Sequence, residues 1–314
     1  MKEPDIDLVY LWVDGSDPKW QAKRNAFIGN TDESSSVNCK GRYVNNDELK
    51  YSLRSVEKYA PWIRKIFVIT DNQTPDWIDL DNPQVKIIDL EDIMPKEILP
   101  CFNSGVIEKF LYKIPGLSEH FLYANDDMFI NKPVSPDTFF AADGFPIIRL
   151  TRKPFRKIRW FWRTKIRRKP LQNYSFTIAN ASKLVKKQYG IYYTGMPHHN
   201  IDTYLKSDCR RVREQIFREK FEVEQRSRMR SPNDIQRLVF SYVALAEKRG
   251  HLFYVSEEES IHVQIHNNRH YKKLAKYNPT FFCLNDSQFA QDTDRMRARS
   301  LLDNYFPEKS RFEK

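Results

Sequence analysis

The chain has 314 residues, of which 40% are hydrophobic and 14% aromatic, so it can bury one large α/β core or two smaller ones. Only 9 residues are glycine, and neither a Gly-rich dinucleotide fingerprint nor a P-loop sequence is present, which excludes the commonest nucleotide-binding motifs. Because no apolar run is long enough for a membrane span, no signal peptide is recognisable and the 4 cysteines lack CxxC spacing, we expect a cytoplasmic protein with reduced thiols.

The net charge of +11 is concentrated in one stretch of the chain. Eleven basic residues and no acidic one lie between Arg149 and Lys169, and the remainder is close to neutral. A basic balance suits nucleic acid, anionic lipid or an anionic substrate. The interleaved aromatic residues favour the surface of an anionic membrane, with a groove for an anionic polymer or a solvated loop as the alternatives. Because the rest of the chain has no recognised nucleic-acid-binding module, we expect no nucleic acid partner.

Predicted strands and helices alternate along the chain. This alternation implies an α/β fold whose mostly parallel sheet is covered by helices on both faces. Strands are predicted at 6–13, 65–70, 85–89, from 121 up to Asp126, and at 146–150, 252–255, 261–265 and 280–284. Helices are predicted at 18–27, 45–60, 103–114, 176–189, 231–250 and up to about 305, and a polar loop at 31–40.

Polar residues follow three of the predicted strands. They are Asp14, the pair Asp126 and Asp127, and the pair Asn285 and Asp286. In α/β sheets, ligands bind in the crevice beyond the carboxyl ends of the strands, so these side chains could converge there. Adjacent carboxylates repel each other, and Mg²⁺ typically takes one or two carboxylates together with phosphate oxygens. The pattern therefore favours a metal–diphosphate site using Mg²⁺ or Mn²⁺ over an Asx-rich turn.

Histidine and arginine residues provide further candidates. His198 and His199 follow Pro197 at a predicted turn, where an imidazole that titrates near neutrality could act as a general base. Arg230 lies just before the predicted helix start at Ser231, a position suited to binding phosphate, with a solvated basic face as the alternative.

The spacing of three later histidines could suggest a zinc site. They recur at every fourth position, but their local pattern is that of a strand and a loop. Because no cysteine or carboxylate stands at ligand spacing, we do not expect zinc there. These histidines are His262, His266 and His270.

Four segments of the chain resemble the conserved regions of the Stealth proteins. The first is DIDLVYLWVDGSDP at 5–18, and the second, at 42–127, includes NDELKYSLRS at 46–55 and LPCFNS at 99–104. The third and fourth resemble 196–242 and 282–313. Stealth proteins are hexose-1-phosphate transferases of bacterial capsule and cell-surface polysaccharide synthesis, and they include the animal lysosomal-enzyme GlcNAc-1-phosphotransferase.

The resemblance implies a Rossmann-like fold similar to metal-dependent nucleotide-sugar transferases. It also implies transfer of a hexose 1-phosphate, in particular N-acetylhexosamine 1-phosphate, from a UDP-sugar to a hydroxyl of an acceptor glycan, with release of UMP. We expect one catalytic domain over 1–314 with a basic aromatic insertion at about 149–172, and an acceptor that could be lipid-linked at the inner membrane face. The alternative is a metal-dependent glycosyltransferase that releases UDP.

The same resemblance assigns the site residues one by one, and it leaves the role of Asp202 open because the spacing after His198 differs from the animal form. The implied catalytic residues are His198, Arg230 and Asp127. The implied metal ligands are Asp127, Asn285 and Asp286. The implied substrate-binding residues are Trp12, Asp14, Gly15, Asn103, Ser104, Asp126 and Asp234.

Overall fold

The structure is a computed structural model that describes residues 4–28, 44–168 and 173–314. The strands are β1 (Ile6–Leu11), β2 (Ile66–Thr70), β3 (Val85–Asp89), β4 (His120–Asn125), β5 (Met128–Ile130), β6 (Ile147–Thr151), β7 (Met196–Pro197), β8 (Asp202–Leu205), β9 (His251–Tyr254), β10 (Ser260–Gln264) and β11 (Phe281–Asn285). The helices are α1 (Pro18–Ile28), α2 (Glu48–Tyr59), α3 (Leu90–Ile93), α4 (Ser104–Ile107), α5 (Arg156–Phe161), α6 (Asn173–Tyr189), α7 (Lys206–Arg211), α8 (Arg218–Glu224), α9 (Leu238–Ala246), α10 (Asn268–Tyr277) and α11 (Asp292–Tyr305). Short 3₁₀ segments occur at Lys96–Ile98, Glu108–Lys113 and Pro136–Thr138, and π-helical segments at Trp162–Ile166 and Val212–Ile216.

A five-stranded sheet with the order β3-β2-β1-β4-β8 forms the centre of the fold. The strands β3, β2, β1 and β4 are parallel to one another, and β8 adds an antiparallel edge beside β4. All residues of β2 are buried, as expected for a parallel strand that is covered on both faces. The predicted α/β class with a mostly parallel sheet is confirmed.

Helices cover both faces of this sheet because alternate residues of each strand point to opposite sides. On one face, Leu8 of β1 belongs to the same buried cluster as Leu53 of α2. On the other face, Val9 of β1 and Phe121 of β4 belong to a cluster that includes Val239 of α9. The central sheet is therefore buried between two apolar layers, and its strand ends are the exposed part of the sheet.

Two smaller sheets flank the central one, and one of them corrects the sequence interpretation. The sheet β10-β11-β5 begins directly after the turn that contains Asp126 and Asp127, because β5 follows β4 and pairs antiparallel with β11. Asn285 thus ends a strand of this second sheet, whereas the sequence analysis considered one common parallel sheet. The third sheet has the order β7-β6-β9.

The predicted helix at 231–250 is wrong at its beginning, since α9 starts only at Leu238 and ends at Ala246. Ser231 looks like a helix cap, but the carboxylate of Asp234 accepts hydrogen bonds from the Ser231 amide at 2.8 Å and from Asn103 Nδ2 at 2.8 Å. This tertiary contact holds 231–234 as a turn. The predicted helix at 103–114 is one α-helical turn, α4, followed by a 3₁₀ segment.

Some sequence predictions concern residues that lie outside the described ranges, namely the polar loop at 31–40, Cys39 and the end of the basic stretch at Lys169. Within the described ranges, none of the helices has both the length and the apolar character needed to cross a bilayer. Cys101, Cys209 and Cys283 are buried free thiols.

Candidate active site

A cleft of about 380 Å³ opens where β1, β2, β4 and β11 end at their carboxyl termini. The lining has an aromatic part and a polar part. The aromatic part consists of Trp12, Trp20, Phe102 and Phe289, of which Trp20 and Phe102 contact each other edge to face. The polar part consists of Glu48, Asn125, Asp126, Asp127, Asn285 and Asp286, with Ser104 and Arg230 also in the lining.

The turn between β4 and β5 places Asp126 and Asp127 in the seam between the central and the second sheet. β11 holds this turn from the other side, because the Leu284 amide donates to the Asp127 carbonyl at 3.0 Å. Cys283 Sγ lies 3.3 Å from Asp127 Oδ2, to which the thiol donates. The second oxygen, Oδ1, is buried and has no hydrogen-bond partner among the described residues. A buried polar atom without a partner is costly, so the site is suited to a cationic ligand.

Three neighbouring carboxylates give the polar part an excess of negative charge. Burial raises the pKa of Asp126 well above its usual value, and the charges of Asp127 and Glu48 raise it further. Burial raises the pKa of Glu48 to about 7, with a smaller contribution from the charge of Asp127. Burial also raises the pKa of Asp127, although hydrogen bonds from Cys283 and Asn285 act in the opposite direction. A divalent cation would offset this mutual repulsion.

The residues present fit such a cation in a particular way. Within the described ranges, no group of three or more His, Cys, Asp and Glu side chains is arranged to hold a metal ion alone. The oxygens of Asp126 and Asp127 instead match the manner in which Mg²⁺ uses one or two carboxylates and takes its other ligands from phosphate and water. Asp286 is already engaged, because its Oδ2 accepts from Arg295 Nε at 2.8 Å and its Oδ1 from the Ser287 amide at 2.6 Å. Asn285 lines the cleft and hydrogen-bonds Asp127.

Arg230 and Ser104 lie together in the cleft wall, where Arg230 Nη2 donates to Ser104 Oγ at 2.6 Å. Asn103 and Asp234 lie behind that wall, with only 1% and 5% of their surface exposed. Asn103 Nδ2 donates to the carbonyl of Met229 at 3.2 Å as well as to Asp234. Asn103 and Asp234 therefore fix the segment that carries Arg230 and are not among the cleft-lining residues.

The turn after β1 contributes only one of its three predicted substrate-binding residues to the cleft, namely Trp12. Asp14 is turned toward its own loop, where its Oδ1 accepts from the amide and the hydroxyl of Ser16 at 2.9 and 2.7 Å. The carbonyl of Gly15 accepts from Gln21 Nε2 at 2.7 Å. Asp14 and Gly15 thus shape the turn and do not line the cleft.

His198 lies in the link between β7 and β8 and is buried, so it is not among the residues that line the cleft. Its Nε2 has no hydrogen-bond partner among the described residues and lies 4.0 Å from Asp202 Oδ1. Burial lowers the pKa of His198 to about 3, and the charges of Arg149 and Arg237 contribute in the same direction. The imidazole is therefore neutral at neutral pH.

Arg237 and Glu48 are site residues that the sequence analysis missed. Arg237 is buried between Glu108 at 3.1 Å and Asp202 at 2.8 Å, and its guanidinium lies 5.0 Å from the ring of Tyr123. Asp202, whose role the sequence left open, thus holds Arg237 beside β4. No local pattern identifies such a contact, whereas Glu48 was visible as an acidic residue at a helix start, where a carboxylate usually indicates only a favourable interaction with the helix dipole.

The chain matches two family models, described as Stealth protein conserved region 1 over residues 4–32 and Stealth protein conserved region 2 over residues 42–148. A capsular polysaccharide phosphotransferase of Actinobacillus pleuropneumoniae is 46% identical over 162 residues, which cover 51% of this chain and 44% of the relative. An exopolysaccharide phosphotransferase of Mycobacterium leprae is 35% identical over 324 residues, which cover 99% of this chain and 57% of the relative. The chain thus spans about half the length of these curated relatives.

Among solved structures, the glycosyltransferase GlyE of Streptococcus pneumoniae superposes with a TM-score of 0.46 and 10% identity, over 98% of this chain and 61% of that one.

The matches to conserved regions 1 and 2 occur in the expected order and contain Trp12, Ser104, Asp126 and Asp127 of the cleft. This chain therefore carries conserved regions 1 and 2 of the Stealth proteins.

Proposed function

We propose that the chain transfers a hexose 1-phosphate, in particular N-acetylhexosamine 1-phosphate, from a UDP-sugar to a hydroxyl of an acceptor glycan and releases UMP. The reaction would serve the synthesis of a capsular or cell-surface polysaccharide, in line with the names of the two phosphotransferase relatives. The observation that carries the proposal is the cleft itself, which combines uncompensated carboxylates, an arginine and aromatic residues. We treat 1–314 as one catalytic domain in which about 149–172 is an insertion.

The aromatic and polar residues of the cleft suit the two halves of a UDP-sugar. The rings of Trp12, Trp20 and Phe102 offer an apolar surface for the uracil base, as aromatic side chains commonly do in ligand pockets. The exposed guanidinium of Arg230 can bind phosphate oxygens with its planar fork. Asp126 and Asp127 would hold Mg²⁺ or Mn²⁺, which neutralises charge on the diphosphate and on the leaving UMP.

The proposed chemistry is phosphoryl transfer with the sugar still attached. The acceptor oxygen bonds to the β-phosphorus, the bond from this phosphorus to the bridging oxygen breaks, and that oxygen leaves with UMP. The bond between the anomeric carbon and its oxygen stays intact, so the anomeric configuration is kept. Reactions of this kind depend on positioning and charge neutralisation more than on covalent catalysis.

We assign the proton of the acceptor hydroxyl to His198. Its imidazole is neutral because its pKa is lowered to about 3, and Nε2 is buried without a partner among the described residues. Such a low pKa makes a weak base, so the imidazolium that forms requires the nearby carboxylate of Asp202, which lies 4.0 Å away. For this role the acceptor must approach from the side of β8, because His198 does not line the cleft.

The proposed acceptor is a hydroxyl group of a glycan. A growing polysaccharide linked to lipid at the inner face of the membrane would place this chain in the cytoplasm at a membrane surface. Glycan acceptors of this kind present hydroxyl groups, which match the nucleophile that the reaction needs.

The proposal is tested with a panel of UDP-sugars that carry label at the β-phosphate. We expect the label in the glycan product and UMP as the nucleotide product, and no product with Asp127→Asn. Release of UDP, with the label still on the nucleotide, would instead identify the chain as a metal-dependent glycosyltransferase. A matched control is Asp81→Asn, which removes an exposed carboxylate between β2 and β3 and should leave turnover unchanged.

A further inference from the structure

A helix in the basic stretch is fixed to the protein by only one of its faces. It runs as α5 and continues as the π-helical segment Trp162–Ile166. Arg156 is buried, and its guanidinium donates to the Gly195 carbonyl at 3.0 Å, to Ser182 Oγ at 2.6 Å and to the Tyr193 carbonyl at 2.8 Å. Trp160 packs beside it, with its ring 4.8 Å from that guanidinium. One face of the helix is therefore anchored firmly to the core.

The opposite face of this helix exposes large apolar side chains to solvent. The spacing of four of them is three, four and four residues, so each follows the previous one by about one helical turn. A contiguous row of this kind is unusual for a solvated surface and indicates an interaction site. The row, called the apolar stripe below, consists of Phe155, Ile158, Trp162 and Ile166, which are 47–66% exposed, and Phe161 at 60% lies beside it.

Basic residues border the apolar stripe on both sides, and the sequence from Arg149 to Arg168 contains no acidic residue. On a helix of 3.6 residues per turn, Arg159 and Arg163 fall on one side of the stripe, and Lys157 and Lys165 on the other. All four side chains are exposed. Long basic side chains that flank an apolar row can extend to lipid headgroups while the row enters the headgroup–acyl boundary. We call these four residues the basic rim.

The neighbouring edge strand extends this surface. β9 pairs with β6, and its residues Leu252 and Tyr254, which alternate onto the same face of the strand, are exposed. The guanidinium of Arg152, which lies between β6 and α5 in the chain, is 5.9 Å from the ring of Tyr254. Aromatic and basic residues thus continue from the helix onto the edge of the third sheet, as in the interfacial belts of membrane proteins.

We propose that the apolar stripe and the basic rim bind the surface of an anionic lipid bilayer. The charge of the rim selects an anionic surface, and apolar side chains that recur on one exposed face of a helix can enter the headgroup–acyl boundary. The stripe cannot turn inward, because Arg156 and Trp160 hold the other face of the same helix. An anionic polysaccharide could bind the basic rim, but it would not bury the exposed side chains of Phe155, Ile158 and Ile166.

The helix that carries the apolar stripe is attached to the protein close to His198. Arg156 of this helix binds the carbonyls of Tyr193 and Gly195, which lie just before β7 and His198 in the chain. Gly195 also packs closely against β6, since a Cβ there would lie 2.6 Å from Leu150 Cδ1. The inference that the bilayer presents a lipid-linked acceptor on this side rests on the proposed function, whereas the binding of lipid does not.

The test is co-sedimentation of the full chain with vesicles, without donor or acceptor, so its result is independent of the reaction. We expect binding to phosphatidylcholine vesicles that contain phosphatidylglycerol and at least about tenfold weaker binding to phosphatidylcholine alone. A stripe variant and a rim variant should each lose binding to the anionic vesicles by about tenfold or more. The stripe variant combines Phe155→Ser, Ile158→Ser, Trp162→Ser and Ile166→Ser, and the rim variant combines Lys157→Gln, Arg159→Gln, Arg163→Gln and Lys165→Gln.

Matched controls change equally exposed residues elsewhere. Val223→Ser with Met296→Ser removes exposed apolar side chains, and Arg269→Gln with Lys272→Gln and Lys276→Gln removes charge from α10; both should bind vesicles as the unmodified chain does. Circular dichroism and thermal unfolding should show that every variant is folded, because only exposed side chains change. The proposal is overturned if the unmodified chain fails to bind anionic vesicles or if the stripe variant binds them normally. A third result would indicate that the surface binds an anionic polymer instead. In that case the stripe variant keeps vesicle binding, and only the rim variant loses turnover on a short soluble anionic acceptor.

Discussion

Divalent cations should raise the thermal stability of this protein, because the cleft concentrates three carboxylates whose pKa values are raised by burial and, for Asp126 and Glu48, also by neighbouring carboxylates. For unfolding near its midpoint, about 2.1 cal/mol/K per residue gives an entropy of about 0.7 kcal/mol/K for 314 residues. A cation at about a hundred times its Kd stabilises the folded state by about 2.7 kcal/mol. The expected rise in Tm is therefore about 4 °C.

The assay compares thermal unfolding of the chain in EDTA with unfolding in Mg²⁺ or Mn²⁺. Asp127→Asn should abolish the rise in Tm, because the cation loses a charged ligand. Asp126→Asn should also abolish it, and in EDTA this variant should be at least as stable as the unmodified chain, since one of three repelling charges is gone. Asp81→Asn, at an exposed position, should retain the full rise.

Two results would refute this reasoning. The first is a Tm that is the same in EDTA and at every concentration of either cation. The second is an undiminished rise in Asp127→Asn, which would place the bound cation outside the cleft. Both readouts concern folding, so they do not depend on knowing the sugar or the acceptor.

Four further predictions follow from the site and its supports. His198→Ala should lower turnover by about 10²–10⁴-fold, measured beside the exposed control His251→Ala. Arg230→Lys should lower kcat/KM for the UDP-sugar by about 10–100-fold, because an ammonium cannot replace a bidentate fork, whereas Arg226→Lys should have little effect. Asn103→Ala should cost about 1–3 kcal/mol in urea unfolding, since buried Asp234 loses a donor, and normal stability would argue against the described contact. Because the pKa values of His198 and His199 are lowered to about 3, the unfolded chain binds more protons than the folded one below about pH 6.5. The two histidines therefore lower stability by up to about 3 kcal/mol per pH unit as the pH falls, whereas the raised pKa values of Glu48, Asp126 and Asp127 act in the opposite direction. The contribution of His198 is isolated by comparing urea unfolding of the unmodified chain and of His198→Ala between pH 6.5 and 4.5, and equal pH profiles would contradict its burial.

The central sheet was predictable from the sequence because parallel strands that are buried on both faces consist largely of consecutive apolar residues. The run IFVIT forms β2, close to the predicted limits, and the edge strand β3 at 85–89 was found although its sequence VKIID is only partly apolar and partly buried. The strands that were not predicted are short ones such as β8, whose sequence shows no alternation of apolar and polar residues. β8 is a strand because it pairs with β4, which is distant in the chain, and no local sequence pattern indicates such a pairing.

The convergence of Asp126 and Asp127 with Asn285 was also predicted, but for a reason that was only partly right. The sequence shows where strands end and not which sheet a strand joins, so the second sheet could not be foreseen. Ser231 failed as a helix start because a buried contact between Asn103 and Asp234, 131 residues apart in the chain, competes with the local capping signal. The roles of the individual site residues remain predictions.

The burial of His198 had no signal in the sequence, since a Pro-His-His segment usually forms an exposed turn. In contrast, the amphipathic helix at 155–166 was within reach of sequence analysis. The residues of its apolar stripe recur at three- and four-residue intervals, and the high content of basic residues obscured that period. Composition alone indicated the membrane surface, and the spacing shows which side chains face outward.

The pairing of β5 with β11 has a consequence for how the protein acquires its cleft during folding. Phe281 pairs with Ile130, 151 residues earlier in the chain, whereas β1 to β4 all come from the first 125 residues. The parallel sheet can thus assemble while a nascent chain is still being made, but the turn with Asp126 and Asp127 waits for the last third of the sequence. Closing such a distant contact is intrinsically slow. A nascent chain that has paired β1 to β4 consequently still lacks one wall of the cleft, and the cleft is complete only after β11 has docked.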